Sequence, residues 1–122
     1  MKGILIDPHK EEISEVEVGD GIHEIYRVID ANLFDIATLS EDDVMYIDDE
    51  GLLKENRYFM CHSFPVLLGG QRNFAGKALI LGYNNEGDSF STQLTVNDVE
   101  KRIKWLPEDH VEEPYFQFVE MK

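Results

Sequence analysis

The chain alternates between two periods of hydrophobic and polar positions, and the switches between them predict its elements. "KGILID" (2–7) is a near-continuous apolar run stopped by Pro8, the pattern of a buried strand. "EISEVEV" (12–18) interleaves Ile13, Val16 and Val18 with acids and predicts a half-buried strand pairing with the first. In "DGIHEIYRVI" (20–29) the period lengthens. Ile22, Ile25, Val28 and Ile29 fall on one helical face, with Asp20 as the expected N-cap. "NLFDIATL" (32–39) returns to strand with Phe34, Ile36 and Thr38 on one side, and "DVMYID" (43–48) is a further strand closed by a turn at "DDEG".

The second half continues in the same way. "YFMCHSF" (58–64) predicts a strand ended by Pro65, "LLGGQRNFAG" (67–76) a glycine-rich loop, and "KALILGY" (77–83) a buried strand followed by a turn at "NNEGD" (84–88). Thr95 caps a helix over "VNDVEKRIKWL" (96–106), with Asp98 as its capping-box partner and Val96, Val99, Ile103 and Leu106 on its inner stripe. "YFQFVEM" (115–121) alternates like a late edge strand, able to complete the sheet or to pair with a second copy in a homodimer through residues 114–122. These elements predict an α+β domain: a mostly antiparallel sheet with two short helices on one face.

The order of these elements resembles the domain of unknown function 3846 family. It is carried by the N-terminal strand pair, the helix, "NLFDIATL", "DDEGLLKENR", "FAGKALILG" and "TVNDVEKRI" over about residues 2–104. "EGLLKENR" (50–57) and "GKALILG" (76–82) are its most specific pieces. The resemblance implies the fold and an origin among small phage, plasmid and bacterial proteins; it implies no reaction.

Composition narrows the function classes. At 122 residues, 43% hydrophobic and 30% charged, the chain is expected to be one globular domain. No apolar run approaches the roughly 20 residues of a membrane span, and a single cysteine, Cys61, suits a reducing cytoplasm. A net charge of -14 opposes nucleic-acid binding by the general surface.

The charge is unevenly placed. Residues 51–85 hold four bases and one acid, whereas acids crowd at 11–17, 41–50 and 107–113. Two binding readings follow. In the first, Asn56, Arg57, Arg72, Asn73 and Lys77 gather at one end of the sheet as a positive pocket for a small anion such as a nucleotide, with Tyr58, Phe64 or Phe74 stacking a base. In the second, Glu41, Asp42, Asp43, Asp48, Asp49 and Glu50 form an acidic face that mimics DNA and occupies a nucleic-acid-binding or defence protein.

Catalysis is not expected. The histidines (His9, His23, His62, His110) are scattered without metal-ligand spacing, and no phosphate-loop motif is present. Neighbouring residues of a strand point to opposite faces, so Cys61 and His62 should diverge. The expected protein therefore has no cofactor and no metal, and acts by binding a protein partner or a small anionic ligand.

Overall fold

The computed structural model describes residues 1–51, 56–65, 71–84 and 86–110. The elements run β1 (Lys2–Asp7), β2 (Glu12–Glu17), α1 (Ile22–Ile29), β3 (Phe34–Thr38), β4 (Asp43–Asp48), β5 (Tyr58–His62), β6 (Gln71–Ala75), β7 (Ala78–Tyr83), β8 (Ser89–Phe90), α2 (Val96–Glu100) and β9 (Ile103–Trp105). The architecture is α+β but mostly β. A larger antiparallel sheet has the order β2-β1-β7-β4-β3 with β8 beside β7, and a smaller one has the order β6-β5-β9.

Both faces of the larger sheet are apolar, and each is covered by a different layer. On one side Val44, Tyr46, Leu79 and Leu81 pack with Ile25 and Ile29 of α1. On the other, Ile4, Ile6, Met45 and Ile80 pack with Phe59, Cys61 and Phe74 of the smaller sheet and with Val99 of α2. The two helices therefore lie on opposite faces, not on one. Leaving either apolar face open to water would cost about 25 cal/mol for each Å² exposed.

Three local expectations are corrected. Residues 71–75, expected within a loop, form β6, because β5 supplies a pairing partner from Tyr58↔Ala75 to His62↔Gln71. The second helix ends at Glu100, and Ile103 and Trp105 pair with Cys61 and Phe59 as β9. Its capping box forms as expected: Asp98 N–H donates to Thr95 Oγ1 (3.1 Å) and Thr95 N–H to Asp98 Oδ2 (2.9 Å). Asp20 is not the cap of α1. That position is Gly21 at φ 97°, with no side-chain cap, and Ile22 on the first turn is 50% exposed. The strand expected at 115–121, and any dimer contact through 114–122, lie outside the described residues.

A sharp corner joins the two sheets. The chain leaves β6, turns at Gly76 (φ 87°) and enters β7 after Lys77. Gly76 N–H donates to the Arg57 carbonyl (3.0 Å), and this positive φ favours glycine.

Candidate functional site

The corner opens onto a cavity of about 350 Å³ lined by Asp7, His9, Lys10, Ile29, Asp30, Asp48, Asn56, Gly76 and Lys77. Its construction follows from strand register. Ala78 pairs with Ile6 of β1 and Ile47 of β4. One position further out, Lys77 stands between Asp7 and Asp48 at the end of three central strands, and the C-terminus of α1 supplies Ile29 and Asp30.

Each lining group is held by its own local structure. Asp7 is 5% exposed, and its Oδ1 accepts the backbone N–H groups of His9 (3.0 Å) and Lys10 (3.3 Å), so the carboxylate shapes the turn that presents both side chains. Asp48 Oδ1 accepts Glu50 N–H (2.9 Å). Asn56 Nδ2 donates to the Gly51 carbonyl (2.9 Å). Asp30 is the left-handed C-cap of α1, its N–H bonded to the Tyr26 carbonyl. Neither Lys10 nor Lys77 has an ion-pair partner among the described residues.

Two of the five expected ligand residues, Asn56 and Lys77, meet in the cavity. Arg57 is at the same end but turned aside: its Nη2 pairs with Glu11 (3.2 Å), and its Nε is buried without a hydrogen-bond partner among the described residues. Arg72 lies four positions up β6 from Gly76, a rise of roughly 13 Å, with its guanidinium 4.8 Å from the centre of the Phe74 ring. Asn73 is on the opposite face of that strand. Tyr58, Phe64 and Phe74 are 4, 5 and 3% exposed, so none is free to stack a base.

The cavity is also not purely positive. It carries three carboxylates against two ammonium groups, one net negative charge with His9 neutral. Sequence reading missed Asp7, His9, Lys10 and Asp30. The polar turn "DPHK" at the end of the first strand was the signal available, but its meaning depends on β1 pairing with β7.

The acids at 41–50 do not form one face. Glu41 and Asp42 are exposed at the start of β4, while Asp48, Asp49 and Glu50 lie at its other end, roughly 17 Å along the strand. Asp43 is 8% exposed and accepts hydrogen bonds from Thr92 Oγ1 (2.6 Å) and Ser40 Oγ (3.2 Å). It is a buried structural carboxylate.

Cys61 is fully buried, whereas the half-buried His62 has its Nδ1 3.0 Å from Ser63 Oγ. Burial pushes the Cys61 thiol up to about 12, with the Arg72 charge opposing weakly. An aromatic disulfide reagent should leave Cys61 unmodified in the native protein and titrate one thiol in denaturant; rapid native reaction would contradict the packing. A thiol raised from 9.0 to about 12 leaves stability unchanged below pH 9. Between 9 and 12 the unfolded chain releases a proton that the native state keeps, so stability falls as pH rises through that window.

Among the described residues, no group of three or more His, Cys, Asp or Glu is placed to hold a metal ion. No helix among them is long and apolar enough to cross a membrane. Neither a curated protein nor a solved structure matches the chain. A family model described as Domain of unknown function (DUF3846) matches residues 1–105 of the 122, and the chain belongs to that family.

Proposed function

We propose that this chain is a non-catalytic, cytoplasmic, single-domain accessory protein of mobile-element type that acts by binding, and that its ligand occupies the cavity at the sheet corner. The observation that carries this reading is the convergence there of Lys10 and Lys77, neither ion-paired among the described residues, with Asn56 and the carboxylates of Asp30 and Asp48. Two ammonium groups call for an anion. Carboxylates and a carboxamide beside them call for hydroxyl or amine donors on the same molecule. A mononucleotide has both: a phosphate for the lysines and a ribose diol for the acceptors. A volume of about 350 Å³ is at the small end of ligand cavities and admits one such molecule. Longer nucleic acid is disfavoured by the net charge of -14 around it.

Mimicry of DNA by the acids of 41–50 has less support, because β4 separates them and Asp43 is committed to Thr92.

Thermal-shift and calorimetric titration with the four common ribonucleoside monophosphates, with inorganic phosphate as the control, test the proposal. At least one nucleotide should raise the melting temperature at millimolar concentration. Lys77→Ala should weaken that binding by about tenfold or more, the scale of one charge-assisted contact. No shift with any of the four would end the nucleotide reading. Equal binding in Lys77→Ala would move the site elsewhere.

A further inference from the structure

Among the described residues that line the corner cavity, Asp7 is the buried carboxylate, at 5% exposure; Asp48 is half-buried and Asp30 exposed. Its place follows from alternation along β1. Ile6 and its partner Ala78 face the core shared with the smaller sheet, so Asp7 projects to the other side, where Ile29 of α1 stands. Asp7 and Ile29 make the floor of the cavity. His9, Lys10 and Asp30 are exposed at its rim, and Lys77 is half-buried between.

The two oxygens of Asp7 differ. Oδ1 accepts both turn amides, from His9 (3.0 Å) and Lys10 (3.3 Å), as an aspartate does at the first position of a β-turn when proline follows. Oδ2 accepts no hydrogen bond from any described residue and is not sealed off from the cavity. A carboxylate oxygen at this depth is costly to leave without a donor, and an ionised carboxylate can only accept. The floor therefore calls for a hydroxyl or an N–H on the ligand. The other lining groups favour a hydroxyl. Among the described residues the aliphatic side chain, Ile29, is 2% exposed and the ring, His9, is at the rim, so the floor offers a flat base no face to stack on.

We propose, building on the mononucleotide reading above, that the cavity holds the ribose and leaves the base outside, with Asp7 selecting the sugar by accepting a hydrogen bond from its diol at Oδ2. Ribose suits this shape. Its 2′- and 3′-hydroxyls lie along one edge of the ring, and the bonds to base and phosphate leave from the other. With the diol on the floor, the phosphate stands toward Lys10 and Lys77, and the base points to solvent.

Calorimetric titration with adenosine monophosphate, its 2′,3′-dideoxy analogue, uridine monophosphate and inorganic phosphate tests this. The unsubstituted protein should bind the dideoxy analogue about tenfold to a hundredfold more weakly than adenosine monophosphate, the scale of a hydrogen bond to a charged group. Adenosine and uridine monophosphates should differ by less than about tenfold. Asp7→Asn keeps an oxygen for the turn amides, puts an NH2 group in place of Oδ2 and removes a negative charge. It should weaken adenosine monophosphate by the same factor as the dideoxy change, while the dideoxy analogue and phosphate bind no more weakly than before. Equal binding of the ribose and dideoxy forms by the unsubstituted protein would overturn the proposal. So would an Asp7→Asn protein that binds adenosine monophosphate and phosphate both more tightly, since Asp7 would then be only a repelling charge. A larger preference between the two bases would place the base inside and overturn it as well. Should Asp7→Asn melt far lower, the comparison of adenosine monophosphate with its dideoxy analogue in the unsubstituted protein decides alone. Binding of neither ribonucleotide would instead remove the mononucleotide reading, and this proposal with it.

Discussion

Phe59→Ala is expected to destabilise the protein by about 4 kcal/mol, near the top of the range for a buried aromatic. Phe59 is fully buried on β5, the middle strand of the smaller sheet, with Phe74 and Trp105 rings 5.6 and 6.5 Å away. It belongs to the cluster that also holds Ile4, Met45 and Ile80 of the larger sheet, so its loss leaves a cavity where the two sheets meet. Small proteins have about 5–15 kcal/mol of stability, so a substantial part would be removed. Urea denaturation should show a lower midpoint with an unchanged slope. Ile36→Ala, at a position 49% exposed, should shift the midpoint by less than about 0.5 kcal/mol. A Phe59→Ala loss as small as that of Ile36→Ala would mean that the sheets are not packed through this ring.

Thr92→Val should cost about 2–3 kcal/mol, although it changes neither size nor shape appreciably. The Thr92 hydroxyl donates to the buried Asp43 carboxylate at 2.6 Å and accepts Leu94 N–H at 3.1 Å. Its backbone N–H donates to the Lys2 carbonyl (3.1 Å), so this one residue ties the approach to α2 to both β1 and β4. Valine would leave Asp43 with the Ser40 hydroxyl but without its shorter side-chain partner. A buried charge that loses a hydrogen bond bears most of its desolvation cost. Thr92→Ser keeps the hydroxyl and should recover more than half of the loss. Equal destabilisation by serine and valine would assign the effect to the missing methyl group, not to the hydrogen bond.

How far the sequence foretold this structure depended on how much of each element's fate was local. β1 and β4 have the expected bounds because both are central strands, buried on both faces, and end at unmistakable breakers, Pro8 and "DDEG". β6 was hidden because an edge strand tolerates polar residues: "QRN" looks like a loop until β5 offers its hydrogen bonds. "IKW" in β9 satisfies a helical stripe through Ile103 and an alternating one through Ile103 and Trp105, and only the neighbouring strand decides between them. The sides taken by α1 and α2 could not be read at all. "ALIL" is apolar at every position and so assigns neither helix to a face.

The site followed the same rule. Asn56 and Lys77 were legible as polar residues at the ends of apolar runs. His9 and Lys10 join them only because a strand from the start of the chain lies against one that comes some seventy positions later.

That pairing also governs how the protein must be made. β1–β2 and β3–β4 are local hairpins, but the strand between them, β7, is the sixth strand after β1 in the chain, and Ile4 waits for Ile80. At about 5–20 residues per second, translation takes roughly 2–7 s to pass from the end of β4 to the end of β7. For that interval the nascent chain holds two hairpins whose unpaired inner edges carry Ile4, Ile6, Met45 and Ile47, open to each other and to any other chain nearby. Slowing synthesis between residues 49 and 78 would lengthen this exposure without altering a single native contact. Its effect would be a lower yield of soluble protein, with the molecules that do fold melting at the same temperature.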